Sequence, residues 1–107
     1  MNKLKYSLEY HCYPIWHYDG NDELIDNDLP DELRNDSELD TMLLKVQEIF
    51  DSLYLDTPKE FAFLGFQKEI DRQNFLSLLF QSVELIKERY PQKYEVECKY
   101  SMESFQL

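Results

Sequence analysis

Glycine, cysteine and long apolar runs are all scarce in this chain. Its 107 residues include two Gly, four Pro and two Cys, which leaves little room for long irregular loops and predicts that both thiols stay reduced and buried. No apolar run at the N-terminus is long enough for a signal peptide, and none elsewhere is long enough for a membrane span. We therefore expect a cytoplasmic protein that makes no contact with membranes.

Basic residues are also few, and the acidic excess lies in one segment. The chain has 22 acidic and 11 basic residues, a formal net charge of −11. Residues 19–60 contain 14 of the acids and three of the bases, whereas the other 65 residues carry eight of each, so the whole excess falls in that segment. Net charge influences association rather than the fold. Because negative charge repels phosphate, we expect a basic protein partner and no direct binding of nucleic acid.

The length and composition predict a single domain that covers residues 1–107. Hydrophobic residues make up 43% of the chain and aromatic residues 15%, which is enough to build one core, although not two. This composition argues against global disorder despite the high charge.

Alternating apolar and polar residues predict a half-buried strand over residues 3–13. Pro14 ends the regular pairing, because proline has no N–H to donate to a neighbouring strand. Ile15–Tyr18 then leads into Asp19–Asp22, where Asp-Gly followed by Asn is typical of a tight turn. Residues 23–26 predict a short return strand, so this part of the chain is interpreted as a β-hairpin.

The helical spacing of apolar residues predicts two helices in the rest of the chain. The first runs from Ser37, an expected N-cap, to Tyr54, and the second covers residues 68–90 and ends at Pro91. Between them, the apolar run Phe61–Phe66 predicts a strand that is buried on both faces inside the sheet.

A second alternating segment, residues 93–100, predicts the last strand. Together with the second helix, this strand and Phe61–Phe66 would form one parallel, right-handed crossover. The order of elements favours an α+β fold, a two-layer sandwich of a mixed four-stranded sheet (β-hairpin, helix, strand, helix, strand) with two helices on one face.

Metal sites and catalytic motifs do not fit this sequence. A calcium-binding EF-hand loop that starts at Asp19 has Leu24 where glycine is needed, and one that starts at Asp26 has Pro30 at a ligand position. The candidate zinc ligands are His11, Cys12, His17 and Cys98. They lack the spacings of zinc sites, and both thiols fall on the predicted inward faces of strands. No glycine-rich phosphate loop and no nucleophile motif is present, so we expect no metal, no cofactor and no enzyme.

The acidic stretch is interleaved with apolar side chains, which a segment kept only for solubility does not need. An interface combines aromatic anchors with surrounding charge that steers the partner. The alternative is that Ile25, Leu29 and Leu33 only attach a solvated loop to the core. Glu38 and Asp40 are left out of the site, since acids are favourable at a helix N-terminus. The predicted partner-binding residues are Trp16, Tyr18, Asp19, Asp22, Glu23, Asp26, Asp28, Asp31 and Glu32.

Four stretches give the chain a resemblance to small acidic bacterial immunity proteins of polymorphic-toxin and contact-dependent growth inhibition systems. They are Tyr10–Trp16, Ile25–Pro30, Phe50–Tyr54 and Phe63–Phe66. The resemblance is one of general character and carries over no residue by position. It implies a protein that binds and neutralises a cognate toxin, commonly a basic nuclease. The concentration of acidic charge adds the hypothesis that it does so by covering the toxin's active site.

Two other hypotheses remain open for the sequence. An acidic mimic of nucleic acid that regulates a DNA- or RNA-binding protein would use the same charge, but it would compete directly with nucleic acid. A small metal-dependent enzyme would need a concave pocket and a bound ion.

Overall fold

The computed structural model describes residues 1–107. Its strands are β1 (Asn2–Tyr6), β2 (Ile15–Tyr18), β3 (Leu24–Asp26), β4 (Tyr54–Thr57), β5 (Glu60–Phe63) and β6 (Tyr94–Cys98). Its helices are α1 (Ser37–Ser52) and α2 (Glu69–Arg89), and a single 3-10 turn covers Asp31–Leu33.

Four of the strands form a mixed sheet in the order β3-β2-β1-β6. β2 is antiparallel to both β1 and β3, which gives the hairpin predicted around the Asp-Gly turn. β6 lies parallel to β1, with Leu4 beside Val96. The predicted α+β fold with a mixed four-stranded sheet is therefore confirmed.

Both helices pack against one face of this sheet. Leu4, Tyr6 and Ile15 are fully buried on that face and belong to one core with apolar residues of α1 and α2. The hydroxyl groups of Tyr6 and Ser82 on α2 lie 3.0 Å apart and are hydrogen-bonded, so β1 and α2 are joined inside the core. Residues that alternate with these on the strands lie on the opposite, open face of the sheet.

The two helices lie close to their predicted positions. α1 is capped by Asp36 rather than Ser37, because the Asp36 carboxylate accepts the N–H of Leu39 at 3.2 Å. α1 also ends at Ser52 instead of continuing to Tyr54, which begins β4. Neither helix is long and apolar enough to cross a membrane.

The strand predicted over residues 3–13 is wrong in its length. β1 ends at Tyr6, and the chain turns back through a loop in which Ser7 N–H donates to Pro14 C=O at 3.0 Å. His11 lies in this loop with a positive φ of 58°, and Cys12 is half-buried there rather than on a strand. The alternation continues through the loop because Leu8 still points into the core, so polarity alone does not reveal the turn.

The strand predicted over Phe61–Phe66 is wrong in its placement. β5 pairs only with β4, in a separate two-stranded hairpin, and Phe61 and Phe63 are 58% and 48% exposed. The predicted crossover from this strand to β6 is therefore absent. The main sheet still has four strands, because Ile15–Tyr18 forms the additional strand β2. Only Phe66, beyond the left-handed Gly65 (φ 73°), enters the core.

Candidate partner-binding face

The nine predicted partner-binding residues fall into three neighbouring places rather than one patch. Trp16 and Tyr18 lie on β2. Asp19, Asp22 and Glu23 form the turn between β2 and β3. Asp26 ends the edge strand β3, and Asp28, Asp31 and Glu32 follow it in the loop before α1.

The two aromatic residues lie on the open face of the main sheet. Trp16 is the cross-strand partner of Lys5, and Tyr18 is the partner of Lys3. The indole N–H of Trp16 donates to Ser7 C=O at 3.0 Å, which fixes the ring against the end of β1. Shallow grooves of about 230 and 200 Å³ flank Tyr18. These aromatic rings therefore stand beside lysines, not in purely acidic surroundings.

The turn between β2 and β3 uses part of its charge for its own structure. The Asp19 carboxylate accepts the N–H groups of Asn21 and Glu23 at 2.8 and 3.0 Å, as an Asx turn does. The left-handed residue of the turn is Asp22 (φ 62°), and its carboxylate lies 3.1 Å from Lys3. Hydrogen bonding to Asp22 raises the pKa of Lys3. Glu23 is exposed and forms no ion pair.

Three carboxylates after the turn share one guanidinium group. Arg34 lies 3.2 Å from Asp26, 3.5 Å from Asp28 and 2.9 Å from Asp31. Its Nε also donates to Leu29 C=O at 3.0 Å, which holds the group against the loop. Three negative charges against one positive charge leave this cluster with two that are not compensated.

The loop that carries these acids is attached to the sheet by Asn27. The Asn27 side-chain oxygen accepts the N–H of Tyr13, and its amide group donates to the carbonyl groups of Tyr13 and Ile15 at 2.7 and 3.0 Å. Leu29 and Leu33 are buried, at 1% and 0% exposure. The sequence did not single out Asn27, because an amide in an acidic stretch looks like any other polar loop residue.

The remaining predicted acid, Glu32, connects the loop to the start of β6. Its carboxylate accepts from the Tyr94 hydroxyl and lies 3.2 Å from Lys93 Nζ. The hydrogen bond from Tyr94, together with Lys93, lowers the pKa of Glu32. Both partners are about 60 positions away in sequence, so this structural role could not be predicted from local pattern.

Asp36, just after this segment, accepts hydrogen bonds from three residues. Burial alone would raise its pKa, but hydrogen bonds from Arg89, from Leu39 N–H and from the Tyr90 hydroxyl outweigh burial, and the pKa is lowered from its usual 3.8. Arg89 also pairs with Glu38. Asp40 instead accepts from the Tyr13 hydroxyl at 2.7 Å, so Glu38 and Asp40 hold elements together in addition to lying in the first turn of α1.

Replacing Asp36 with Asn should make stability less sensitive to acid. A carboxyl group whose folded pKa lies below its unfolded pKa stabilises the fold fully above the unfolded value, and this contribution disappears as pH falls through the folded value. Asn retains an N-cap acceptor but removes the titration, so the loss of stability below about pH 4 should become shallower. Urea unfolding between pH 7 and pH 3 measures it, with Glu84→Gln as the control, since Glu84 is exposed and forms no ion pair. Equal acid dependence in D36N and the unaltered chain would contradict this role.

An exposed aromatic group that the sequence did not predict lies outside this face, on the β4–β5 hairpin. Phe61 and Phe63 are the two aromatic residues among the large exposed hydrophobic side chains. The period-two spacing of these residues around Ala62 was the available signal, since alternation marks a strand with one exposed face.

The largest cleft of the molecule lies away from the predicted face. The largest cleft, about 510 Å³, lies between the end of α1 and the start of α2, with Leu53, Phe66 and Phe75 among its lining residues. No group of three or more His, Cys, Asp or Glu side chains is arranged to hold a metal ion. The predicted face is a charged surface with only shallow grooves.

Comparison with known families identifies the class of protein. A family model described as Serratia CdiI immunity protein-like matches residues 2–101, from β1 to the end of the sheet. A search of curated proteins gives no match. The resemblance to immunity proteins of contact-dependent growth inhibition systems is thereby confirmed. The chain belongs to the Serratia CdiI immunity protein-like family.

Proposed function

We propose that this chain neutralises a basic cognate toxin, a nuclease, by covering the toxin's active site with the segment Trp16–Glu32. The immunity role follows from the family. The observation that carries the finer proposal is the concentration of the whole net charge of −11 in residues 19–60. A strongly acidic surface attracts a basic protein and accelerates its association.

The segment presents apolar contact area next to its charge. Leu24 and Ile25 on the edge strand β3 are 53% and 54% exposed, and they lie beside the cluster of Asp26, Asp28 and Arg34. Apolar groups surrounded by charge are typical of an interface core with a polar rim. Glu23 and the two uncompensated charges of the Arg34 cluster are free to attract cations on a partner.

The mechanism that fits such a face is occlusion without catalysis by this chain. A nuclease binds the phosphate backbone through Lys and Arg side chains, because the phosphodiester carries one negative charge per nucleotide. Carboxylates of Trp16–Glu32 would occupy the same cations, and Trp16 and Tyr18 would supply aromatic contacts. The partner is then a protein, and nucleic acid and the immunity protein exclude each other from the toxin.

Neutralising the three carboxylates around Arg34 tests this proposal. The variant D26N/D28N/D31N should bind the toxin domain encoded by the reading frame immediately upstream about tenfold more weakly, since rim charges mainly affect association. Asn has nearly the same size as Asp and, being neutral, does not repel the Arg34 guanidinium group. Binding is measured by titration, and inhibition is measured as hydrolysis of RNA and of DNA by that toxin domain.

The matched control is E84Q/E88Q/E103Q, which removes three exposed carboxylates that form no ion pair. Either variant changes the net charge from −11 by three, to −8, so the two are compared at equal net charge. Equal affinities for the two variants would rule out the acidic segment as the contact. Binding that leaves hydrolysis of both nucleic acids unaffected would rule out coverage of a nuclease active site.

A further inference from the structure

The β4–β5 hairpin carries large apolar side chains that are exposed to solvent. Phe61, Phe63 and the following Leu64 are 58%, 48% and 57% exposed. Side chains of this kind are usually buried, and a contiguous exposed apolar patch marks a binding surface more often than isolated residues do.

The aromatic rings of this hairpin are held in a fixed arrangement. Tyr54 and Phe61 stack with ring centroids 5.3 Å apart and planes inclined by 13°. Tyr10, from the β1–β2 loop, packs against both rings at 4.6 and 5.1 Å. The buried Phe50 of α1 supports Tyr54 and Phe63 from below. Rings that are already ordered lose little conformational entropy when a partner binds.

Carboxylates border these rings and have no cationic partner. The Asp56 carboxylate accepts from the Tyr10 hydroxyl at 3.0 Å, and Asp56 is also the cross-strand neighbour of Phe61. Asp51 accepts from His11 N–H and from the Gln47 amide at 2.9 and 2.7 Å. All these donors are neutral, so no cation of this chain compensates either carboxylate.

The segment Trp16–Glu32 differs from the hairpin because most of its negative charges are paired with cations of the same chain. Five of the seven acids in residues 16–32 form an ion pair with Lys or Arg. The acids beside the hairpin rings, Asp51 and Asp56, form none, since their contacts are all to neutral donors. The hairpin carboxylates can therefore pair with a cation of a partner. In Trp16–Glu32, most carboxylates already pair with Lys or Arg of this chain.

We propose that the aromatic face of the β4–β5 hairpin, formed by Tyr10, Tyr54, Phe61 and Phe63, is a second docking surface for the cognate toxin, and that it receives Arg or Lys side chains. A guanidinium group can lie flat on an aromatic ring while its N–H groups reach a neighbouring carboxylate. The pairing of Phe61 with Asp56 across the hairpin supplies both features at one place. A second copy of this chain is a poor occupant, because two surfaces of net negative charge repel each other.

This inference rests on the proposed function for the basic character of the toxin, although it places a contact outside Trp16–Glu32. It is tested with the toxin domain encoded immediately upstream, bound to four forms of the full chain. F61S/F63S removes both exposed rings. D56N keeps every ring and removes the carboxylate opposite Phe61. L44S/I70S is the control, because Leu44 and Ile70 are similarly exposed, at 52% and 57%, on the helices.

We expect F61S/F63S and D56N to weaken binding about tenfold each and the control to bind as the unaltered chain does. D56N keeps the inference testable if loss of both rings disturbs the hairpin. If both hairpin variants bind as tightly as the control, the second surface is wrong, while the proposed function stands. If the unaltered chain fails to bind, both are wrong. A dimer in sedimentation that F61S/F63S dissociates would assign the face to a second copy and overturn the inference.

Discussion

Raising the salt concentration from about 50 mM to about 500 mM should slow association of this chain with its toxin by about a hundredfold. The net charge of −11 attracts a basic partner from a distance, and mobile ions screen that attraction once their screening length falls below the separation. Dissociation should change far less, because contacts inside a formed interface are screened little. Stopped-flow kinetics of the two proteins over a salt series separates the two rate constants.

Ion pairs within the chain do not remove this effect. Arg34 lies within 3.5 Å of each of its three carboxylates, which is below the screening length of about 4 Å at 500 mM salt, so salt weakens these pairs less than it weakens attraction across a gap. The approaching toxin senses the sum of these charges, which is still negative. An association rate that is independent of salt would show that charge does not steer the partner, and the acidic character of the chain would then serve solubility.

The elements that could be predicted from the sequence are those whose signal is local. α2 shows a repeating apolar stripe that stops at Pro91, and the β2–β3 hairpin has its Asp-Gly turn between two short strands. Each pattern is contained within the element that it predicts, because helix and hairpin geometry repeats over a few residues. The same locality explains why Ser37 and Asp36 were exchanged as caps, since adjacent polar residues satisfy the same pattern.

The misplaced strand at Phe61–Phe66 has a physical cause. A short apolar run fits a strand covered on both faces, and it fits equally well a hairpin whose aromatic face is left open. The choice depends on which other strand is nearest, and β4 begins only six positions before β5. Tyr54–Thr57 carries two polar residues and begins two positions after the end of α1. The sequence therefore did not indicate that it forms a strand paired with β5.

The candidate site divides in a similar way. The acidic residues and their exposure followed from composition, because unpaired charges rarely lie inside a core. Their partners did not follow, since the contact of Glu32 with Tyr94 depends on the position of β6 beside β1. The aromatic surface on the hairpin was missed for the same reason as the strand that carries it.

The apolar residues of the acidic segment should separate into two functional classes when they are substituted. Leu33 is fully buried and Ile25 is 54% exposed, although both lie in the same stretch and looked alike in sequence. Leu33→Ala should lower the free energy of unfolding by about 3 kcal/mol, because it removes buried methyl groups and leaves a cavity beneath the 3-10 turn. Urea unfolding and the melting temperature measure this loss.

Ile25→Ser should change the free energy of unfolding by less than about 0.5 kcal/mol, as exposed substitutions usually do. It should nevertheless weaken toxin binding through faster dissociation, since an apolar side chain beside charged residues contributes to the closed interface rather than to steering. Leu44→Ser on α1, at a similar 52% exposure, is the matched control for both measurements. Should Ile25→Ser dissociate from the toxin as slowly as Leu44→Ser, then the edge strand β3 is only a solvated border of the fold, and contact with the toxin must be sought at the aromatic face of the hairpin.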